Sequence, residues 1–198
     1  MINYGYLNQA SLIYQEKQYK RIEAPWLVTK AISDITKPAD CSSYIVKKDT
    51  ENTEKTFVAS GEQSFLYLIN KDYIPCGKYQ TITPCMRDNA FDETHTKYFM
   101  KLELIEYMPD FVLRSFPEDF IKEMMEDVIY AWCMILGKGS YNKLKKVKIN
   151  DTSWDIEYDG IELGSYGFRS CSFCSWIYGT GIAEPRFSRV TGDKHGLS

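Results

Sequence analysis

The sequence has no long hydrophobic run and no strong net charge. No apolar stretch reaches the roughly 20 residues that a transmembrane helix needs, and the first residues form neither a basic region nor an apolar core, so no signal peptide is evident. The net charge of -3 argues against binding nucleic acids or anionic membranes through bulk charge. These absences predict a cytoplasmic protein that has no membrane partner.

A complete phosphate-binding loop and a regular cysteine framework are also missing. Gly137-Lys-Gly-Ser140 lacks the rest of the loop pattern and is interpreted as a helix end. The six cysteines show no regular spacing, so reduced thiols are expected. Cys171 and Cys174 form a lone C-x-x-C without the βαβ context of a redox motif. As a zinc site the pair would need two more ligands, and the candidates stand at no motif spacing: Cys76, Cys85, His95 and His195.

The hydrophobic pattern predicts one domain of the α+β class, with an antiparallel β-sheet flanked by helices. A helix is predicted over residues 7–18. A strand over 21–28 is interrupted by Pro25, which donates no ladder hydrogen bond and therefore belongs at an edge. The other elements predicted for the first half are a loop at 36–56, a helix at 65–69 and strands at 81–83 and 98–107.

The second half carries clearer local signals. Ser115-Phe-Pro-Glu118 predicts a capping box that opens an amphipathic helix ending at Gly137. Asp159-Gly160 between two strand-like runs predicts a β-hairpin, because both residues tolerate positive φ. The lysines within 143–148 are assigned to a solvated loop. Residues 176–190 are predicted to form a glycine-rich turn that enters a helix.

Two arginines about a hundred residues apart stand in distinct local settings. Arg87 follows a strand and precedes a polar loop, and Arg186 follows a glycine-rich segment. Guanidinium groups are planar, bidentate donors that suit phosphate oxygens, so the pair could hold a nucleoside triphosphate from both sides. His95 returns from the polar loop, Phe99 could stack on a purine, and Glu103 would share its strand face. Singly, each of these residues also fits an ordinary surface or core position.

Glu162 and Arg169 stand seven residues apart on the strand after the hairpin. An odd separation places them on opposite faces of a straight strand, so a bulge or bend at Gly164 or Gly167 is needed to bring both to one cavity. A carboxylate at Glu162 could hold Mg²⁺ between phosphates; the alternative is a solvated strand carboxylate. The alternative for Arg169 is a structural ion pair, for example with Glu103.

The chain resembles the catalytic domain of class II aminoacyl-tRNA synthetases over residues 12–190. Three segments are similar to the three motifs of that family. They are the helix and proline-bearing strand at 7–28, the set Arg87, His95, Phe99 and Glu103, and the segment from Gly179 to Arg186. Subgroup features are mixed. Glu162–Arg169 is similar to aspartyl-type enzymes and the ammonia-dependent asparagine synthetase, whereas 57–62, 83–87 and 170–174 are similar to seryl-type enzymes.

The resemblance implies ATP and Mg²⁺ as cofactors, a homodimer formed through residues 7–28, and a small, aspartate-like amino acid as substrate. The implied nucleotide ligands are Arg87 for the α-phosphate, His95 for the γ-phosphate side, Phe99 for adenine, Glu162 for Mg²⁺, and Arg186 for adenine and the γ-phosphate. The implied substrate ligands are Ser60 and Glu62 near the ammonium group, Glu103, and Arg169 at the side chain.

Two residues depart from the pattern of this family. Asn89 stands where the second motif usually has glutamate, and Pro185 separates Glu184 from the third-motif arginine. We expect no anticodon-binding domain in 198 residues, and tRNA stays open as a partner. The expected activity is ATP-dependent formation of an aminoacyl-adenylate, with Arg87 and Arg186 as catalytic residues and an unidentified acceptor. The alternative is a non-catalytic synthetase paralogue that serves as a regulatory or binding subunit.

Overall fold

The computed structural model describes residues 1–37, 44–48, 53–88 and 96–192. The first half of the described chain comprises α1 (Tyr4–Glu16), β1 (Lys20–Arg21), β2 (Leu27–Thr29), α2 (Lys30–Thr36), β3 (Ile45–Lys48), β4 (Glu54–Phe57), α3 (Gly61–Asn70) and β5 (Gly77–Met86). The second half comprises β6 (Tyr98–Tyr107), α4 (Asp110–Ser115), α5 (Pro117–Leu136), a 3-10 helix (Lys138–Lys143), β7 (Leu144–Asn150), β8 (Ser153–Tyr158), β9 (Ile161–Ser170), β10 (Ser175–Glu184) and α6 (Arg186–Thr191).

A seven-stranded sheet organises the fold, in the order β1-β5-β6-β10-β9-β8-β7. Its strands pair antiparallel except for β1, which lies parallel to β5 at one edge. The strands β2, β4 and β3 form a separate three-stranded sheet. The predicted α+β class, an antiparallel sheet flanked by helices, is therefore confirmed.

The two faces of the large sheet pack against different partners. Leu102 and Leu104 on β6 belong to the larger core, which also contains buried residues of α1 and α5. Ile105, on the opposite face, packs with Phe65 and Leu66 of α3 in a second core. Side chains of a strand alternate between faces, so Lys101 and Glu103 share the side of Ile105. This is the side on which polar residues of β6 can face a site.

Several local predictions are confirmed with shifted ends. The predicted helix at 7–18 is α1, which begins earlier because Asn3 caps it and accepts the Tyr6 amide at 3.2 Å. The strand at 98–107 is β6 as predicted. Asp159 and Gly160 connect β8 to β9 with positive φ values of 50° and 83°. The proline-interrupted strand is divided into β1 and β2, which lie in different sheets.

Four local predictions are wrong. Within 36–56 the structure contains β3 and β4, whose pairing with each other and with β2 outweighs their polar neighbours. Residues 176–184 belong to β10 and are not a turn. The lysines after residue 143 lie on the edge strand β7, where lysine discourages further pairing. Ser115 does not cap α5: its hydroxyl donates to the Phe111 carbonyl at 2.7 Å, and Phe116 is the capping residue.

Close packing explains the glycines of β10. The carbonyl of Gly181 accepts hydrogen bonds from Tyr14 Oη and Trp132 Nε1, which come from α1 and α5. A Cβ at Gly181 would overlap Leu102 Cδ2 and lie 3.1 Å from the Leu102 carbonyl oxygen. Glycine is therefore required here for close approach between layers.

Candidate functional site

One cavity of about 450 Å³ gathers the predicted site residues that the structure describes. It opens beside the start of α3 and the site-facing sides of β6, β8, β9 and β10. His95 and Asn89, like His195, lie outside the described residues. The predicted site residues that line the cavity are Ser60, Glu62, Arg87, Phe99, Glu103, Glu162, Arg169 and Arg186.

A β-bulge lets Glu162 and Arg169 line the same cavity. Gly164 pairs with Ile156 and Glu162 pairs with Glu157, so Leu163 is the extra residue on β9. One extra residue changes the alternation of side chains between the two faces. The bulge that the odd spacing required is therefore present at Leu163, next to Gly164.

The arginines Arg87 and Arg186 reach the cavity from two segments that are 99 residues apart in the chain. The Nε of Arg87 donates to the Ala59 carbonyl at 3.0 Å, and its guanidinium carbon lies 5.1 Å from the centre of the Phe99 ring. Arg186 begins α6, and its Nη1 donates to Glu162 Oε1 at 3.1 Å. The side chain of Arg186 is only 16% exposed, so its charge lies in a partly desolvated position.

Two carboxylates meet on the Arg186 side of the cavity. Burial raises the pKa of Asp155, and the charges of Glu162 and Glu157 raise it further against the effect of a hydrogen bond from Ser165. The hydroxyl of Ser165 also lies 3.3 Å from Glu162 Oε1. Asp155 and Glu162 thus form a pair of hard oxygen donors whose mutual repulsion a divalent cation would relieve.

A second polar cluster is built around Glu103 on β6. Ser60 Oγ lies 2.6 Å and 2.7 Å from the two carboxylate oxygens and donates to them, and Lys101 Nζ donates to Oε1 at 2.8 Å. Burial alone would raise the pKa of Glu103, but Lys101, Ser60 and Arg87 overcome it, so the pKa lies below its ordinary value. Glu103 is therefore a buried, compensated carboxylate.

The side chain of Arg169 is held in place by one acidic and one aromatic neighbour. Its Nη1 donates to Glu62 Oε2 at 2.6 Å, and its guanidinium carbon lies 4.1 Å from the centre of the Tyr178 ring. Trp176 Nε1 donates to the other oxygen of Glu62 at 2.6 Å. The ion-pair partner of Arg169 is thus Glu62 and not Glu103. The Arg169 side chain is still 40% exposed, so part of its guanidinium faces the cavity.

Burial and the hydrogen-bonding partners of Glu62 have opposite effects on its pKa. Burial raises the pKa of Glu62. The charge of Arg169 and the hydrogen bond from Trp176 lower this pKa, whereas the nearby charge of Glu103 raises it. The pKa of Glu62 remains above its ordinary value. The clusters around Glu62 and Glu103 therefore interact across the same cavity.

Sequence reasoning did not assign Lys101, Asp155 or Tyr178 to the site, although all three line the cavity. Lys101 could have been found, because it shares the strand parity of Phe99 and Glu103. Asp155 could have been placed opposite the start of β9 only if the bulge in the hairpin register had been known. Tyr178 gave no signal, because its segment was predicted to be a turn.

The described residues contain neither a group of three metal-ligating side chains nor a membrane-spanning helix. No three histidine, cysteine, aspartate or glutamate side chains in the described ranges converge to hold a metal ion by themselves. A cation between Asp155 and Glu162 would therefore need further oxygen ligands from a bound molecule. In the same part of the chain, no helix is long and apolar enough to cross a membrane.

Comparison with known proteins identifies the fold. No protein-family model and no curated protein matches this sequence. Two structures of pyrrolysyl-tRNA synthetase from Desulfitobacterium hafniense superimpose with TM-scores of 0.69 and 0.68 at 13% identity. They cover 95% of this chain, which spans 66% and 69% of theirs. Cytoplasmic serine-tRNA ligase from Naegleria fowleri, in complex with AMP, gives a TM-score of 0.67 at 16% identity.

The match to the serine-tRNA ligase covers 93% of this chain but only 52% of that protein. The fold is therefore similar to the catalytic cores of class II synthetases, as the sequence motifs predicted. The chain spans between about half and about two thirds of the length of the structures it matches.

Proposed function

We propose that this protein is an ATP-dependent ligase that activates the carboxylate of a small amino acid. In the proposed reaction a carboxylate oxygen attacks the α-phosphorus of ATP, an aminoacyl-adenylate forms and pyrophosphate leaves. The observation that carries the proposal is the meeting of Arg87 and Arg186 in one cavity that also contains a separate acidic and basic cluster. A protein with a similar fold, the serine-tRNA ligase, was solved in complex with AMP, which supports the nucleotide assignment.

This reaction requires no protein nucleophile. Arg87 and Arg186 would hold the phosphates and neutralise the charge that develops as the α-phosphorus is attacked. Phe99 would contact the adenine beside Arg87, and the proposed γ-phosphate contact of His95 falls outside the described residues. Arginine suits this task because its planar donors match phosphate oxygens and keep their charge at all relevant pH values.

The donor set beside Arg186 fits a magnesium ion. Asp155 and Glu162 offer carboxylate oxygens, and the raised pKa of Asp155 reflects, after burial, the repulsion that a cation would relieve. These two residues would hold the ion together with phosphate oxygens of the nucleotide. When bound, Mg²⁺ supplies charge neutralisation for the phosphates. Arg186 would then exchange its contact with Glu162 for the nucleotide.

The other half of the cavity would hold the amino acid. Ser60, Glu62 and Glu103 would lie near the ammonium group, and the exposed part of Arg169 would contact the side chain. The part of the Arg169 guanidinium that faces the cavity favours a substrate that supplies an oxygen acceptor, because its planar donors suit carboxylate and amide oxygens. We therefore propose aspartate or a similar acidic or amide amino acid as the substrate.

A non-catalytic regulatory or binding subunit is the second candidate. The ion pair between Arg186 and Glu162 favours it, because both proposed nucleotide ligands already satisfy each other at 3.1 Å. Nucleotide binding would have to break this contact, which stabilises the protein in the absence of a ligand.

Pyrophosphate exchange with ATP across the twenty amino acids tests the proposal. We expect exchange with aspartate or a related amino acid and little with apolar ones. Exchange with none of the twenty would favour the non-catalytic candidate. Arg169→Leu should change the ranking of the amino acids; an unchanged ranking would remove the aspartate assignment and leave the adenylation proposal intact.

A further inference from the structure

The hairpin that joins β9 to β10 ends in two cysteines. Ser170 and Ser175 are the last ladder partners, and beyond them the Cys171 amide donates to the Cys174 carbonyl at 2.8 Å. Only residues 172–173 lie between the cysteines. Their sulfur atoms are 3.8 Å apart, the one contact between two thiols in the part of the chain that the structure describes.

The backbone at this position suits a disulfide bond. The register of β9 and β10 places Cys171 opposite Cys174, and opposed residues of an antiparallel pair have Cα atoms about 4.5 to 5.5 Å apart. Disulfides bridge Cα separations of about 4.4 to 6.8 Å. The two sulfur atoms would have to approach each other by about 2 Å to reach bonding distance. Rotation of the two side chains can supply this movement without breaking the ladder.

We propose that Cys171 and Cys174 form a reversible thiol–disulfide modification site that takes a small-molecule disulfide as oxidant. The Cys171 thiolate attacks one sulfur of the oxidant and expels the other as a thiol. The Cys174 sulfur then attacks the mixed disulfide, forms the bond to Cys171 and releases the second small thiol. Two protein thiols are oxidised and one small disulfide is reduced to two thiols.

Exposure decides the order of the two steps. Cys171 is partly exposed, whereas only 4% of Cys174 is accessible. Burial raises the pKa of Cys174, and the neighbouring Cys171 raises it further. Cys171 is therefore the sulfur that meets the oxidant, and Cys174 is the one that resolves the mixed disulfide.

The modification would reach the cavity through two residues of the same hairpin. Arg169 and Trp176 are opposite each other in the β9–β10 pair, and each lies two residues from one of the cysteines. Their side chains therefore point to the same face of the hairpin as those of the two cysteines. Arg169 and Trp176 both donate to Glu62 at 2.6 Å. The cross-link thus restrains the end of the hairpin that positions Arg169 against Glu62. This inference goes beyond the proposed function and does not depend on it.

Mass spectrometry of the full chain tests the proposal. The protein is equilibrated in buffers with graded ratios of reduced to oxidised glutathione, its thiols are trapped by alkylation, and it is digested with trypsin. Cleavage after Arg169 and Arg186 leaves both cysteines in the single peptide 170–186. In the oxidised protein we expect this peptide to carry no alkyl group and to be two hydrogen atoms lighter than the reduced, unalkylated peptide. Dithiothreitol should restore the doubly alkylated form.

Variants identify the bond. Cys171→Ser and Cys174→Ser should each abolish the lighter peptide, while Cys76→Ser, which changes an exposed cysteine outside the pair, should retain it. The proposal is overturned if the peptide stays reduced or carries only glutathione at every ratio, or if Cys76→Ser abolishes the change. Because the readout is mass, an absence of pyrophosphate exchange has no bearing on it.

Hydrogen–deuterium exchange tests the link to the cavity. Deuterium uptake over the β9–β10 hairpin should be slower in the oxidised than in the reduced wild-type protein, and unaffected by oxidant in Cys174→Ser. Equal uptake in both redox states of the wild type would overturn the claim that the bond restrains the segment carrying Arg169 and Trp176.

Discussion

Six charged residues that line the cavity form three ion pairs. Arg169 pairs with Glu62, Lys101 with Glu103, and Arg186 with Glu162. Removing one member of a buried pair leaves the other uncompensated, which is costly. A substitution in this site therefore changes both stability and ligand binding, and the two effects have to be measured separately.

Arg87→Ala and Arg186→Ala should each lower the rate of adenylation by at least about a hundredfold. Loss of one preorganised donor to a developing charge typically costs about 3 kcal/mol. Arg→Lys at either position should also be poor, because an ammonium group cannot reproduce the planar fork. Pyrophosphate exchange measures the effect. Arg114→Ala, a change of an exposed arginine on α4, is the matched control; near-normal activity in either cavity variant would refute the assignment.

Glu103→Gln should destabilise the protein at neutral pH by about 3 to 5 kcal/mol, because it breaks a buried pair with Lys101. The pKa of Glu103 is depressed in the folded state, so the stabilisation is present above the ordinary value of 4.5 and is lost as the pH falls through the lower folded value. The difference in free energy of unfolding between wild type and variant should therefore shrink in acid.

Urea unfolding at a series of pH values measures this difference. Glu118→Gln is the control, since Glu118 forms an exposed pair with Lys122 that should contribute little. A difference between wild type and Glu103→Gln that stays constant from neutral to acidic pH would contradict the interpretation of the buried pair.

At the scale of elements, two bulges shape the site. The bulge at Leu163 turns β9 so that Glu162 and Arg169 line one cavity, and a second irregularity between Thr180 and Ile182 interrupts the pairing of β10 with β6. Gly181 lies at this second irregularity, where α1 and α5 both donate to its carbonyl. The same strand therefore carries the close packing of the core on one face and the cavity on the other.

Gly181→Ala should destabilise the fold by about 1 to 3 kcal/mol, because the added methyl group would overlap Leu102 and lie 3.0 Å from the Tyr14 ring. For a domain of this size the melting temperature should fall by roughly 2 to 4 °C per kcal/mol. Gly139→Ala is the matched control, since nothing lies within 4 Å of its added methyl group. Differential scanning calorimetry compares them; equal melting temperatures would argue against close packing at Gly181.

At the scale of the whole molecule, the sheet separates two environments. One face holds the apolar core with α1 and α5, and the other holds α3, the small sheet and the charged cavity. A ligand that enters the cavity contacts both early and late parts of the chain, from Ser60 to Arg186. Its binding should therefore stabilise the molecule as a unit.

ATP with Mg²⁺ should raise the melting temperature by mass action, because it binds the native and not the unfolded chain. At a hundred times its Kd the ligand stabilises by about 2.7 kcal/mol, which corresponds to a shift of roughly 5 to 10 °C. Thermal denaturation with Mg²⁺ alone is the control. The absence of any shift at millimolar Mg-ATP would contradict the nucleotide-binding proposal.

We predict a homodimer formed through residues 7–28. Leu12 and Trp26 within this segment are 52% and 55% exposed in the single chain, and an isologous contact would cover such side chains. Light scattering at micromolar concentration should give twice the mass of one chain. Leu12→Asp should give a monomer, whereas Tyr141→Asp, at another exposed side chain, should not; a monomeric wild type would refute the prediction.

The sequence alone determined those features that arise from neighbours along the chain. The alternation at 98–107 predicted β6 and its two faces, because side chains on a strand repeat every second residue. Asp159-Gly160 predicted the hairpin, because a tight turn needs residues that accept positive φ. The resemblance of the segments around Arg87, Phe99 and Arg186 to class II synthetase motifs indicated the fold and these three candidate nucleotide ligands.

Only the tertiary structure decided the features that depend on residues far apart in the chain. The glycines of β10 predicted a turn, yet pairing with β6 and β9 and contact with α1 and α5 make the segment a strand. The partner of Arg169 is Glu62, 107 residues away, and this buried carboxylate in the first turn of α3 also accepts a hydrogen bond from Trp176. Local propensity amounts to tenths of a kcal/mol per residue, whereas burial of a charged or aromatic side chain involves several, so long-range packing prevails where the two disagree.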